Sequence, residues 1–147
     1  MLNYRLDSLI RQFGPRPDWK HYYRALYDDN AAGWKATQTA IAGFAEIART
    51  NGIRIVVFHL PELRELKPYP FQDVTDKVRK VVETQGVPFV DLLPSVENLD
   101  PPSLWVTVPD PHPNGKAEIT FAKAMLPQLT AMLDKLCREQ SKGCGGQ

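Results

Sequence analysis

The sequence contains no apolar run approaching the roughly 20 residues of a membrane span. It has little cysteine: Cys137 and Cys144 both fall in the C-terminal stretch CREQSKGCGGQ. A disulfide there would close a short loop in a glycine-rich tail and stabilise little of a core. Two thiols with no histidine nearby make no metal site, so neither a metal nor a cofactor is expected. Charge of one sign is also missing, with Lys+Arg 18 against Asp+Glu 17 and a net charge of +1. That balance gives no electrostatic reason to expect nucleic acid or an anionic membrane as partner. The opening MLNYRLDSLIRQF lacks the uninterrupted apolar segment and small-residue cleavage site of a signal peptide. As written, the chain is expected in the cytoplasm; a secreted or periplasmic location would require a different N-terminus.

What is present is ordinary for one globular domain: 147 residues, 43% hydrophobic and 24% charged. Residues 3–13 read as a short helix ended by Gly14-Pro15-Arg16-Pro17, the start of a helical lead-in over residues 1–30. Asp18 suits the cap of a second helix reaching Tyr27, with an aromatic face of Trp19, Tyr22, Tyr23, Leu26 and Tyr27. His21 reads as a surface position within it. Trp34, Thr37, Ile41, Phe44, Ala45 and Ala48 recur at intervals of three and four, one stripe of a third helix that stops at Asn51-Gly52. The β-branched run Ile53–Phe58 follows and predicts a strand buried on both faces. The unit then repeats. Phe71, Val74, Val78, Val81 and Val82 form a helical stripe stopped at Gly86, and Val87–Leu92 predicts a second strand whose Pro88 suits an edge. Residues 94–104 read as loop with room for one helical turn. A final helix is expected to bury Phe121, Ala122, Met125, Leu129, Met132, Leu133 and Leu136 and to kink at Pro127, ahead of a flexible tail over residues 137–147.

Two strands joined by a crossover helix predict an α/β fold, part of a doubly wound, flavodoxin-like three-layer arrangement with a parallel sheet. Only its last two strands are clear. Sites in such folds form at the carboxyl ends of the strands. There lies the stretch WVTVPDPHPNGKAEITFAKA, residues 105–124, with Asp110 and His112 on either side of Pro111. Pro111 fixes its own φ and Pro113 biases His112 toward extended angles. Asn114 stands where a helix N-cap belongs. A histidine on a stiff segment beside a carboxylate suits a general base, the carboxylate fixing the tautomer and stabilising the imidazolium. The same spacing also suits a capped helix start with a surface histidine. Side chains two apart in an extended segment share a side, so Asp110 meets the ring only if the chain bends at Pro111. His59 is the rival histidine, at the end of the first strand with no carboxylate within two residues. Asp91, ending the second strand, reads as a cap.

Asp110-Pro111-His112-Pro113-Asn114, with Ala122 eight residues on, resembles the last conserved block of the SGNH/GDSL hydrolases. The likeness runs back to about Trp34 through VVFHLPEL (56–63) and VPFVDLLP (87–94). It departs from the family in having one residue between Asp and His where two are commonest, and Ala117-Glu118 where Gly-His is frequent. The resemblance implies that residues 1–136 are the C-terminal part of an SGNH-type domain. It implies His112 as general base and Asp110 as its partner, acting on an acyl ester or an acetylated carbohydrate; an O-acetyltransferase is a variant on the same fold. The family's Gly-Asp-Ser block, its later Gly and its Gly-x-Asn-Asp block are not recognisable here. Leu6-Asp7-Ser8-Leu9 shares letters with the first, but no strand or glycine precedes it, so Ser8 is not expected to be the nucleophile. A missing N-terminal half, or self-association, is therefore expected. The alternative is a non-catalytic αβ module that binds a partner through its open sheet edge.

Overall fold

The computed structural model describes residues 18–143. The helix expected over residues 3–13, Ser8 and Cys144 lie outside them. Asp18 caps α1 (Trp19–Leu26), its carboxylate accepting the Lys20 N–H at 3.1 Å. Trp19 and Tyr23 pack on Phe71 with ring centroids 5.4 and 5.6 Å away. Tyr22 and Leu26 stay exposed, so only part of the expected aromatic face is used for packing.

Helix α2 (Ala32–Thr50) ends at Asn51, and Gly52 takes a φ of 66°, the left-handed angle that stops the helix. Strand β1 (Val57–His59) pairs in parallel with β2 (Phe89–Asp91), and α3 (Gln72–Thr84) crosses between them. The register sets Val57 opposite Phe89, Phe58 opposite Val90 and His59 opposite Asp91. Alternation along both strands feeds two cores. Val57 and Phe89 pack with Ala45 of α2 and Val82 of α3. Phe58 and Val90 point the other way, to Leu63, Leu92, Val96, Leu104, Ala117 and Phe121. Helical elements therefore cover both faces of a two-stranded parallel sheet. The molecule is α/β in this coarse sense, with mixed helix and strand.

Beyond β2 come a helical turn, α4 (Leu93–Val96), and a 3-10 turn, Pro101–Leu104, within the segment expected as loop. A hairpin not anticipated from the sequence follows: β3 (Trp105–Thr107) antiparallel to β4 (Asp110–Pro113). The last helix, α5, spans Gly115–Gly143 and so continues through Pro127 and into the segment expected as tail.

Several burial expectations need correcting. Phe44 is 72% exposed and Thr37 is exposed, leaving Trp34, Ala45 and Ala48 as the buried part of the α2 stripe. Ile53 is 55% exposed, and the paired strand is three residues long and half-buried, not sealed on both faces. On α5, Ala117 and Phe121 are buried, whereas Ala122, Leu129 and Leu133 are exposed. The cause is common to all three. A sheet of two short strands offers too little area to cover stripes that run the length of α2 and α5.

Candidate functional site

The Trp105–Pro113 hairpin turns through Val108-Pro109 and brings Thr107 opposite Asp110 and Trp105 opposite Pro113. Between these pairs β3 advances two residues and β4 three, so Asp-Pro-His carries one extra residue and bulges. The bulge supplies the bend that Asp110 needs. Its Oδ1 lies 2.5 Å from His112 Nδ1 and also accepts the His112 backbone N–H at 3.2 Å. The hydrogen bond from the His112 ring, with that backbone N–H, holds the Asp110 carboxyl below its ordinary value of 3.8. Nδ1 therefore carries a proton toward the carboxylate, and Nε2 is the ring nitrogen not engaged by Asp110. The pair is open to solvent, the His112 side chain 83% and Asp110 47% exposed. Water screens such a contact, so it orients the ring more than it stabilises the fold.

Asn114 secures the hairpin to α5. Its Oδ1 caps the helix, accepting the Lys116 and Ala117 N–H groups at 3.0 and 3.1 Å. Its Nδ2 donates to the Ser103 and Trp105 carbonyls at 3.1 and 2.9 Å. Trp105 adds an anchor from the other side, its indole N–H donating to the Leu63 carbonyl at 3.0 Å. The dyad thus projects from a support tied to the core at both ends.

A second histidine–carboxylate pair emerges from the sheet. Parallel register sets His59 beside Asp91, with His59 Nδ1 4.0 Å from Asp91 Oδ1 and Arg79 3.7 Å from Asp91 Oδ2. Asp91 Oδ1 also accepts the Leu93 N–H at 2.9 Å, the capping role expected of it. The His59 side chain is 19% exposed, and burial pushes its pKa below 6.5, against the pull of Asp91. Sequence distance hides this pairing: 32 residues separate two positions that strand register makes neighbours. The available signal was that both residues end the strand of a repeated helix–strand unit.

His59 also lines a cavity of about 240 Å3 with Tyr23, Tyr27, Glu62, Tyr69 and Phe71. His112 does not line this cavity. A larger groove, about 700 Å3, lies at the opposite, amino ends of the strands between Ala45, Ala48, Ile55, Val87 and Met132. His21 is exposed, as expected. Among the described residues no group of three or more His, Cys, Asp and Glu is placed to hold a metal ion, and no helix is long and apolar enough to cross a membrane. Comparison of the chain with family models, curated proteins and solved structures finds no match to any of them.

Proposed function

We propose that this chain carries the base-bearing part of an SGNH/GDSL-type acyl-ester hydrolase, the C-terminal portion of a doubly wound α/β domain. The observation that carries the reading is the 2.5 Å contact between His112 Nδ1 and Asp110 Oδ1 on a proline-stiffened bulge. In this reading Nε2 of His112 takes the proton of a serine hydroxyl as its oxygen attacks the ester carbonyl. Asp110 stabilises the imidazolium, which then returns the proton to the departing alkoxide. The serine and the oxyanion donors come from outside the described residues, on a segment that adds strands to the two-stranded sheet. Transfer of the acyl group to a sugar hydroxyl uses the same residues, with the sugar in place of water.

The test is a form of the protein joined to a strand followed by Gly-Asp-Ser, assayed on short acyl esters. His112→Ala should lower kcat by several orders of magnitude, because residues that act as a unit fail together. Asp110→Asn should cost less, since the bulge still restrains the ring. Near-normal kcat/KM in His112→Ala, with an unchanged acidic limb of the pH profile, sinks the assignment. Residues 1–147 alone should show little or no turnover, and turnover lost in Ser8→Ala would place the nucleophile at Ser8 after all.

A second reading rests on the open sheet. Within the described residues each strand pairs on one side only, which leaves backbone donors and acceptors for a binding partner. A binding module of this kind would keep its affinity in His112→Ala.

A further inference from the structure

We propose that the cavity at the carboxyl end of β1 binds a small uncharged ring bearing a hydroxyl group, which donates to Nε2 of His59 and rests against the tyrosine rings around it. The proposal is independent of Asp110 and His112, which line no part of this cavity.

Four observations converge. The cavity opens at the carboxyl end of a parallel strand, where the crevices of α/β sheets take ligands. Leu60-Pro61 turns the chain away directly after His59, and Pro61 is buried, so the wall is fixed. The ring orientation of His59 is set from behind. Nδ1 is fully enclosed, has no hydrogen-bond partner among the described residues, and lies 4.0 Å from the Asp91 carboxylate. A proton on Nδ1 faces that negative charge favourably, which leaves Nε2 as the acceptor of a ring that is 19% exposed. Burial keeps the imidazole neutral, as an acceptor must be.

The remaining walls decide the ligand's charge and shape. Glu62 is the only carboxylate in the lining, and it is already engaged by Arg64, whose Nη1 lies 2.5 Å from Oε1 and whose backbone N–H donates to Oε2 at 2.9 Å. A free anion or cation would therefore find no unpaired counter-charge. Tyr69 accepts the Glu62 N–H at 3.0 Å and keeps its own O–H proton to donate. A ligand hydroxyl can thus donate to His59 and accept from Tyr69. Tyr23, Tyr27 and Phe71 supply flat apolar surface for the ring. About 240 Å3 exceeds the roughly 150 Å3 that holds benzene and falls short of a drug-sized site, which sets the ligand at one ring.

Both phenols and monosaccharides meet this description, and separate titrations with phenol and with methyl glucopyranoside distinguish them. The readout is the 15N signals of the His59 ring in the intact chain. A saturating shift of Nε2 with either probe is expected, and the probe that produces it names the source. His59→Phe, which keeps the ring against Phe89 but removes the acceptor, should weaken that binding about tenfold, with Tyr69→Phe losing less. If neither probe moves the His59 signals at tens of millimolar, the proposal is wrong. Equal binding by His59→Phe is likewise against it. Should His59→Phe not fold, the Nε2 shift in the unaltered chain decides alone.

Discussion

Asn114 uses every polar group it has, and in doing so makes one side chain answerable for two elements. Its amide oxygen caps α5 while its amide nitrogen holds the carbonyls of Ser103 and Trp105. Asn114→Ala removes a cap, about 1 kcal/mol, and two further hydrogen bonds at roughly 1 kcal/mol each. We expect a loss of about 2–3 kcal/mol by urea denaturation. Asn114→Asp keeps the cap and should cost about two-thirds as much; an equal cost would show that the hairpin tie, not the cap, carries the effect. His59 acts at the same scale through protons. Its native pKa lies below 6.5, so between 6.5 and that native value the unfolded chain binds the proton first. Stability should therefore fall as pH drops below 6.5, by no more than about 1.4 kcal/mol per pH unit for one proton. Burial raises Glu62 above 4.5, which gives the opposite slope just above 4.5, where the native state binds first. Asp91 and Arg79 face His59 from β2 and α3 and act against each other. His59→Gln should remove the slope near pH 6 and leave the rest of the profile; a slope that survives it belongs to another group.

The elements differ in how openly the sequence announced them. Helices α2 and α3 were legible because stripe, length and a terminal glycine agreed, and Gly52 and Gly86 do take positive φ. The Asn114 cap was legible for the same local reason. The hairpin was not: its strands are three and four residues long, and Pro109, Pro111 and Pro113 signal loop to any local rule. Its pairing is held by Asn114 and Trp105, contacts that only the folded chain supplies. The approach of Asp110 to His112 was readable as a condition, a bend at Pro111, but the bulge that meets it was not. Helix α5 shows the reverse error, since Ala122, Leu129 and Leu133, expected as core, are exposed. Full burial there is confined to the first turns, so substitutions should separate along its length. Phe121→Ala should cost about 3–5 kcal/mol. Leu133→Lys, at a site 60% exposed, should stay within about 0.5 kcal/mol. A large loss from Leu133→Lys in dilute monomer would mean that α5 is packed along its whole length.

At the scale of the molecule, two short strands are asked to carry helices on both faces. The surplus shows as Phe44, Ile47 and Ile53 on and just after α2 and Leu126, Leu129 and Leu133 on α5. Exposed apolar surface of this kind favours association. Sedimentation should show dimers or larger species at micromolar concentration, reduced by Phe44→Ser with Ile47→Ser; a monodisperse monomer with a sharp melt would count against the missing-strand reading. The two cores also lie on opposite faces of a sheet whose ladder is three residue pairs long. Cooperativity needs shared contacts, and here the shared part is small. Amide exchange should therefore run on two clocks. The slower belongs to the core around Leu92, Val96, Leu104 and Phe121, and the faster to α2, so that α2 can open while Asp110 and His112 keep their contact.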